Sequence, residues 1–380
     1  MTTSRFDSYR PPDDGVRRRR RPSVVDAATG AARDLARGGR NWLTRDGGGA
    51  REAPAVPDAQ FSAYYGRAIV KPLPWKHEIP AYLFLGGIAA GSGIIAAGAA
   101  ATGQEVLRRN SRYTSMVGVA LSGGALVADL GRPSRFLNMM RTVKLTSPMS
   151  VGTWILSGYA AFAGVATAAE VARAVPVTEG GVLDLAKRAL RVVEAPATAG
   201  QALFAPPLAA YTAVLLSDTV TPVWFESRHQ LPFVFVGSAA MASGGVQMIL
   251  SPTRESSGAR RFALIGAATD LVAMRRLEEH LDELELSEPL ETGSAGRMLR
   301  LATALTVAGG LGTLLSGRSR VVAIASGTAL AAASALTRFG MVEAGMVSAK
   351  DPKYTVGPQK RRLEERRSSG TVHDSIVTVR

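Results

Sequence analysis

Five side chains that can transfer protons or form hydrogen bonds stand at the edges of long apolar stretches. They lie in the segments PWKHEIPAY, ADLG, SPMSV and AAYTAV. Histidine titrates near neutral pH, a tyrosine hydroxyl donates to a carbonyl oxygen, and a carboxylate passes on a proton. Such groups beside an apolar slot suit a small apolar ligand that gains or loses protons. The candidates for this binding and proton-relay site are His77, Tyr82, Asp129, Ser150 and Tyr211.

Each candidate also has a purely structural interpretation. His77 is alternatively a loop histidine exposed to solvent, and Tyr82 is alternatively an aromatic side chain at the membrane interface. Ser150 alternatively caps the start of a helix. The sequence alone leaves these alternatives open.

Three charged side chains near the candidates are assigned to partner docking or to structure. Arg132 and Arg135 follow Asp129 closely, so they either hold that carboxylate charged, form a structural helix-end pair with it, or contact a partner. Asp218 lies at the end of a later apolar stretch.

Asp270 is a separate candidate because it interrupts an apolar stretch, FALIGAATDLVAM. A carboxylate inside a membrane is costly and is a functional residue by default. Alternatively, Arg275 or Arg276 neutralises it near the interface.

The elements that position these residues are membrane helices. A helix that crosses the hydrocarbon core needs about 20 mostly apolar residues. The sequence predicts an all-α integral membrane protein, a bundle of about eight transmembrane helices between disordered basic tails at 1–74 and 349–380, with the membrane domain at 75–348. The weakest span contains residues 262–274, which alternatively only enter the interface. The predicted spans lie near 79–101, 113–129, 147–170, 196–217, 230–251, 260–277, 299–317 and 320–339.

The residue types exclude several kinds of redox centre in this chain. It contains no cysteine, so it offers no thiolate for zinc or an iron–sulfur cluster. None of its four histidines lies well inside an apolar stretch, so no histidine pair is predicted to hold a haem. We therefore predict no metal site and expect any redox centre to come from a partner.

Charges at the span ends predict the orientation. With eight spans, residues 75–79, 129–147 and 217–231 share one face with both tails, which we call the tail-side face. Lysine and arginine are slightly more numerous there, and the tails add the run Arg17–Arg21. The positive-inside rule then places both termini in the cytoplasm of a multi-pass inner-membrane protein. The arginine run is interpreted as part of a disordered tail, or alternatively as a contact for phospholipid or nucleic acid.

Several segments in order resemble the NrfD/PsrC family, the membrane subunits of polysulfide, nitrite and related bacterial reductases. The resemblance extends from about residue 75 to about residue 356. It rests on PAYLFLGGIAAGSG, DLGRPSRFLNMM with SPMSVGTWILSGY, YTAVLLSDTVTPVW, LPFVFVGSAAMASGG and RFGMVEAGMVSAKDP.

The resemblance implies a function. Family members exchange electrons with menaquinone or ubiquinone and dock on a ferredoxin-like iron–sulfur subunit, which serves a catalytic subunit, in some cases a molybdopterin enzyme. Their quinone pocket lies near the start of the first span, which here implies His77, Tyr82 and Asp129, with Ser150 and Tyr211 completing it. The charge distribution predicts a cytoplasmic partner, whereas the better-known reductases carry theirs on the outer side. No nucleic-acid partner is expected.

The chain itself is expected to be a quinone-reactive or non-catalytic subunit of an oxidoreductase complex. The alternative functions are a secondary transporter and a proton-translocating membrane module.

Overall fold

The computed structural model describes residues 68–130, 135–176 and 181–370. All of them belong to one unit, residues 68–380, and most of the predicted N-terminal tail, with Arg17–Arg21, lies outside the described residues. The described backbone forms twelve helices and no strand. These are α1 (Glu78–Ala101), α2 (Glu105–Asp129), α3 (Arg135–Met139), α4 (Pro148–Ala174), α5 (Val182–Ser217), α6 (Pro222–Glu226), α7 (Leu231–Leu250), α8 (Ser257–Glu283), α9 (Glu288–Glu291), α10 (Gly293–Leu315), α11 (Arg320–Lys350) and α12 (Lys353–Ser368).

Six of the long helices in the described ranges are long and apolar enough to cross a membrane, namely α1, α4, α5, α7, α10 and α11. Helices α2 and α8 do not reach this composition because polar and charged side chains interrupt them. Several of these side chains, among them Ser115, Ser122 and Asp270, are buried inside the protein. The prediction of an all-α membrane protein is confirmed. By length and composition six of the described helices qualify as spans, two fewer than the predicted count of about eight.

The apolar stretch 262–274, predicted as the weakest span, lies inside α8. This helix has 27 residues, which corresponds to a length of about 40 Å. It packs against α7 and α10. It is therefore longer than these two neighbours, which have 20 and 23 residues, although its composition is more polar.

The eight long helices form two four-helix bundles. In the amino-terminal bundle α1, α2, α4 and α5 each pack against the next, and α5 returns to α1. In the carboxy-terminal bundle α7, α8, α10 and α11 are arranged in the same way. Helix α1 also packs against α7 and α11, and so joins the two bundles.

The first helices of the two bundles have similar sequences. Residues 83–93 of α1 read LFLGGIAAGSG, and residues 234–244 of α7 read VFVGSAAMASG. Gly86 in α1 faces the Ser122 hydroxyl of α2, and Gly237 in α7 faces the backbone of Asp270 in α8. The repeated architecture was not predicted from the sequence, in which no internal repeat was recognised.

Helices α4 and α5 interlock through aromatic rings and glycines. The Tyr211 ring lies on Gly152 and the Phe204 ring lies on Gly158, while the Phe162 ring of α4 lies on Gly200 of α5. Small residues let membrane helices approach closely, and here they accommodate the rings of the neighbouring helix.

Residues 353–368 correct the prediction of a disordered C-terminal tail. They form α12, and the charges of this helix pair with acidic groups at the tail-side ends of other elements. Lys353 Nζ lies 2.6 Å from Glu288, Arg361 Nη2 lies 2.5 Å from Glu285, and Arg362 Nη2 lies 2.8 Å from Glu226. Its partners are distant in sequence, so the local composition gave no sign of this order.

Candidate functional site

The segment before α1 docks on the tail-side end of the carboxy-terminal bundle. The Trp75 ring stacks on Trp224 with centroids 5.7 Å apart, and the Trp224 indole donates to the Met341 carbonyl at 2.8 Å. Trp224 is fully buried against Gly345, where a side chain would collide with its ring. His77, the residue that precedes α1, is exposed, and its ring stacks against Phe339. These contacts fix where α1 begins.

Two carboxylates lie at the tail-side end of α1 and α2. Glu78 occupies the first turn of α1, and half-buried Asp129 is the last residue of α2. Helices α1 and α2 are joined by three residues and pack against each other, so the two carboxylates lie at the same end of this helix pair. Glu78 Oε2 is buried, and none of the described residues donates a hydrogen bond to it. A buried carboxylate oxygen without a protein donor is suited to accept a hydroxyl from a ligand or from water.

Tyr82 and Tyr211 lie deeper in the amino-terminal bundle. Tyr82 is one turn beyond Glu78 and is 3% exposed, and its carbonyl accepts a hydrogen bond from Ser122 at 3.1 Å. Tyr211 is 9% exposed, with its ring on Gly152. Both rings belong to one apolar cluster with Trp224. Of the predicted site residues, the structure thus brings Tyr82, Tyr211 and Asp129 to the tail-side end of this bundle.

Ser150 shapes the loop that precedes α4. Its hydroxyl donates to the Thr142 carbonyl at 3.1 Å and accepts from the Lys144 amide at 3.0 Å. Ser147 holds the N-cap position of α4, but its side chain makes no capping bond. Ser150 therefore connects the loop to the helix, and both of its bonds are to backbone atoms.

An apolar cavity of about 470 Å³ opens beside Ser150. The loop contributes aliphatic side chains and Lys144, and α4 and α5 contribute aromatic ones. The Trp154 indole, 40% exposed, reaches the Thr142 carbonyl at 3.4 Å, near the limit of a hydrogen bond. The lining residues are Val143, Lys144, Leu145, Ser150, Val151, Trp154, Ile155, Ser157, Gly158 and Phe204.

Of the three predicted docking residues, the structure describes the side chain of Asp218 alone. Arg132 lies outside the described residues, and the side chain of Arg135, in the short helix α3, lies outside them too. Asp218 is the exposed C-cap of α5, and its backbone amide donates to the Val214 carbonyl at 2.9 Å.

This set of groups fits the chemistry of a quinone. Such a ligand needs an apolar slot, a route from the lipid phase, and polar groups near its oxygens. The cavity at Trp154 is apolar and faces outward between α4 and the loop, while Glu78 and Asp129 supply acid–base groups at the same end of the bundle.

A comparison with protein families agrees with this geometry. The family model described as polysulphide reductase, NrfD, matches residues 68–268, just over half of the chain. The chain belongs to the NrfD family. A comparison with curated proteins found no match. The family match covers the amino-terminal bundle, α7 and part of α8, and it ends before the closing segment RFGMVEAGMVSAKDP. It makes the chain a membrane subunit of the kind found in quinone-linked oxidoreductase complexes.

Asp270 of this NrfD-family chain lies just beyond the matched residues, inside the carboxy-terminal bundle. It is 4% exposed, and its Oδ1 has no hydrogen-bond partner among the described residues. Arg338 of α11 is a buried opposite charge in the same bundle, whereas Arg275 pairs with Glu279 at 2.8 Å. Arg338 is fully buried, lies over the Phe235 ring and donates to the Phe235 carbonyl at 2.6 Å. The burial of Asp270 and the pairing of Arg275 with Glu279 favour a position inside the bundle over the interfacial neutralisation considered from the sequence.

A charged cluster at the opposite end of the amino-terminal bundle was missed. Arg112 of α2 contacts both Glu170 of α4 and Glu194 of α5. In the sequence, charges of this region were counted only among the span-end residues that predict the orientation. The available signal was the presence of glutamates at the ends of two successive spans on the side that carries Arg108 and Arg112.

Proposed function

We propose that this chain is the quinone-reactive membrane subunit of a multisubunit oxidoreductase. In this function it exchanges electrons between menaquinone or ubiquinone and a ferredoxin-like iron–sulfur partner, which serves a catalytic subunit. The observation that carries the proposal is the presence of Glu78, with a buried and unpartnered Oε2, and of Asp129 at the tail-side end of the bundle that the family match covers. When bound, the quinone supplies two-electron redox chemistry coupled to protons.

The residues of the chain bind and move protons in this scheme. Glu78 Oε2 accepts a hydroxyl proton, and Asp129 takes part in its transfer to the tail-side face. His77, exposed at the start of α1, connects this pair to solvent. Tyr82, Tyr211 and the loop held by Ser150 form the walls that keep the site apolar.

We further propose that α2 and α8 cross the membrane within the two bundles, because their buried polar side chains face protein rather than lipid. Eight crossings place both tails on one side, and the arginine and lysine count places that side in the cytoplasm. Helix α12 then adds a basic surface at the face where the iron–sulfur partner docks.

The test is quinone-dependent turnover of the complex purified from membranes with its partners. Lipid extraction shows whether a quinone co-purifies, and the variants His77→Ala, Glu78→Gln and Asp129→Asn are compared with Glu279→Gln, an exposed carboxylate of α8. We expect the Glu78 and Asp129 variants to lose turnover by ~100-fold with the complex assembled, and the Glu279 variant to retain it. An assembled wild-type complex without quinone and without quinone-linked turnover would overturn the proposal.

Secondary transport is the alternative that one observation favours. The two bundles repeat one architecture, as the halves of many transporters do, and the second contains the buried pair Asp270 and Arg338. Solute flux through the protein alone in liposomes, lost in Asp270→Asn, would support transport in place of the quinone function.

A further inference from the structure

A buried ionic cluster ties α2, α4 and α5 together at the end of the amino-terminal bundle that is remote from the proposed quinone site. Arg112 is 1% exposed, and its Nη1 lies 2.9 Å from Glu170 Oε2 and 2.7 Å from Glu194 Oε1. Its Nη2 donates to the Thr198 hydroxyl at 3.0 Å. Two glutamates and a threonine thus surround one guanidinium.

The cluster is connected to the opposite face by a charged cavity of about 370 Å³. Arg108 binds both oxygens of Glu170, at 3.1 and 3.2 Å, and Arg173 bridges Glu170 and Glu194. The cavity is lined by Glu105, Val106, Arg108, Arg109, Glu170, Arg173 and Ala174. Glu170 is therefore buried in the protein yet borders a polar opening on that face.

Farther inside, one turn along α2 from Arg112, three side chains form a hydrogen-bonded group. Gln201 Nε2 donates to Ser115 Oγ at 2.7 Å, and Ser115 Oγ lies 2.7 Å from the Tyr159 hydroxyl. The Tyr159 hydroxyl donates to the Ala89 carbonyl of α1. Gly93 makes room for it, because a Cβ there would lie 2.5 Å from the Tyr159 oxygen.

Several polar atoms along this route have no partner among the described residues. They are Ser92 Oγ, Ser111 Oγ, Arg112 Nε and Gln201 Oε1, each on a side chain of α1, α2 or α5. Ser92, Ser111, Arg112 and Gln201 are all at most 1% exposed. Buried polar groups without protein partners are ordinarily satisfied by internal water. A purely structural tie between helices does not need such open donors and acceptors.

The same face of α2 continues toward the proposed quinone site. Ser122 lies two turns, about 10 Å, beyond Ser115 and donates to the Tyr82 carbonyl. Asp129 ends the helix about 10 Å farther on. Polar side chains therefore recur at intervals of two turns on one face of α2, from Ser115 through Ser122 to Asp129.

We propose that a row of hydrogen-bonding side chains forms a proton path between the opposite face and the interior of the amino-terminal bundle. The row, called the file below, consists of Glu170, Thr198, Ser115, Gln201 and Tyr159. The inference rests on the proposed function, because the protons that it carries are those of the quinone site. Oxidation of one quinol sends two electrons to the iron–sulfur partner and releases two protons, and reduction of one quinone takes up the same numbers. Through these groups, one of the two protons is exchanged with the face opposite the partner, while the other leaves by Glu78 and Asp129 to the tail-side face, so turnover moves charge across the membrane.

The hydroxyls suit this transfer because each can accept one proton while donating another. Ser115 and Tyr159 are in contact, so a proton passes between them without movement of the backbone. Removing the Tyr159 oxygen interrupts the file and leaves the ring packing of α4 intact. Tyr113, on the same bundle and only partly buried, provides a matched control.

The experiment uses the whole complex in sealed vesicles, with the pH set separately on the two sides and quinone-linked turnover and membrane potential recorded. We expect the wild-type rate to respond to the pH at the opposite face. In Tyr159→Phe that response disappears and turnover falls by ~10-fold or more, whereas Tyr113→Phe leaves both unchanged. Electron transfer from the partner to a soluble dye should persist in every variant.

Ser115→Ala and Gln201→Leu repeat the test if Tyr159→Phe assembles poorly. Retention of the opposite-face response and of the membrane potential in the assembled variants would overturn the proton path and leave the quinone function standing. A wild-type rate that follows only the tail-side pH would do the same. Absence of quinone-linked turnover in the wild type would overturn both proposals.

Discussion

The Tyr211 ring of α5 lies on the backbone of Gly152 in α4, at the tail-side end of the amino-terminal bundle. A Cβ at position 152 would overlap the ring, so the sequence needs glycine there. Two further ring-on-glycine contacts, Phe204 on Gly158 and Phe162 on Gly200, follow along the same pair of helices. The wall of the proposed quinone site is thus set by backbone-to-ring contact.

This relationship predicts the effect of Gly152→Ala. The added methyl group pushes the Tyr211 ring outward, and overpacking of this kind costs about 1–3 kcal/mol of stability. The variant should unfold at lower temperature in detergent and bind quinone more weakly. Gly164→Ala on the same helix is the control, because nothing lies within 4 Å of a Cβ there. Equal stability of the two variants would contradict the packing account.

A second prediction concerns the ionic cluster. Arg112→Ala leaves the buried carboxylates of Glu170 and Glu194 without their central counter-charge, which costs about 3–5 kcal/mol for a buried pair. Arg109→Ala removes an exposed charge one turn from this cluster and should cost little. Thermal unfolding of the two variants in the same detergent distinguishes them, and a small effect of Arg112→Ala would show that the cluster is not a structural centre.

The third prediction concerns Asp270 and Arg338. Arg338→Met alone leaves a buried carboxylate without its counter-charge, and Asp270→Asn alone leaves a buried guanidinium. The double variant removes both charges, so its loss of stability should be smaller than the sum of the single losses by about 0.5–3 kcal/mol. Additive losses in unfolding measurements would mean that the two charges do not interact.

The docking of α12 should depend on pH. The hydrogen bond from Lys353 holds the pKa of Glu288 below its usual range, and the same bond raises the pKa of Lys353. The stabilisation of docked α12 by the Glu288 carboxylate is therefore complete at neutral pH and is lost as the pH falls through the acid range. The stabilisation of docked α12 by the Lys353 ammonium is lost only as the pH rises above the usual lysine pKa near 10.4.

A spin label can report this change, because the chain has no native cysteine. A nitroxide on Gln359→Cys should become more mobile below about pH 4. It should already be more mobile at neutral pH in Lys353→Ala, but not in Lys350→Ala. Identical mobility in all three backgrounds would mean that the ion pair does not hold the helix.

The sequence was sufficient for the fold class because the apolar stretches coincide with the helices. The first span was expected from residue 79, and α1 begins at Glu78. The sequence also located α2 and α8, near 113–129 and 260–277, but it did not show that their polar side chains face protein, because hydropathy does not distinguish burial in protein from exposure to water. Helix α12 was missed because its ionic partners lie 65 to 136 residues away.

For the candidate site, the sequence predicted which residues lie at the same face but not which side chains contact each other. Helix order alone placed the neighbourhoods of Tyr82, Asp129 and Tyr211 at one face. The proximity of Glu78 to Asp129, the bonds of Ser150 to backbone atoms and the pairing of Asp270 with Arg338 depend on helix rotation and tilt. The rotation of each helix is set by glycine contacts with neighbouring helices. The residue that faces each glycine cannot be predicted from the spacing of residues along the sequence.

Quinone is proposed to bind at the tail-side end of the amino-terminal bundle. The most direct measurement is photolabelling of the purified complex with an azido-quinone, followed by mapping of the labelled peptides. The account predicts labels within residues 75–86, 122–130, 148–158 and 204–213, and their loss when native quinone is added in excess. Labels at the opposite ends of these helices, or in the carboxy-terminal bundle alone, would contradict it.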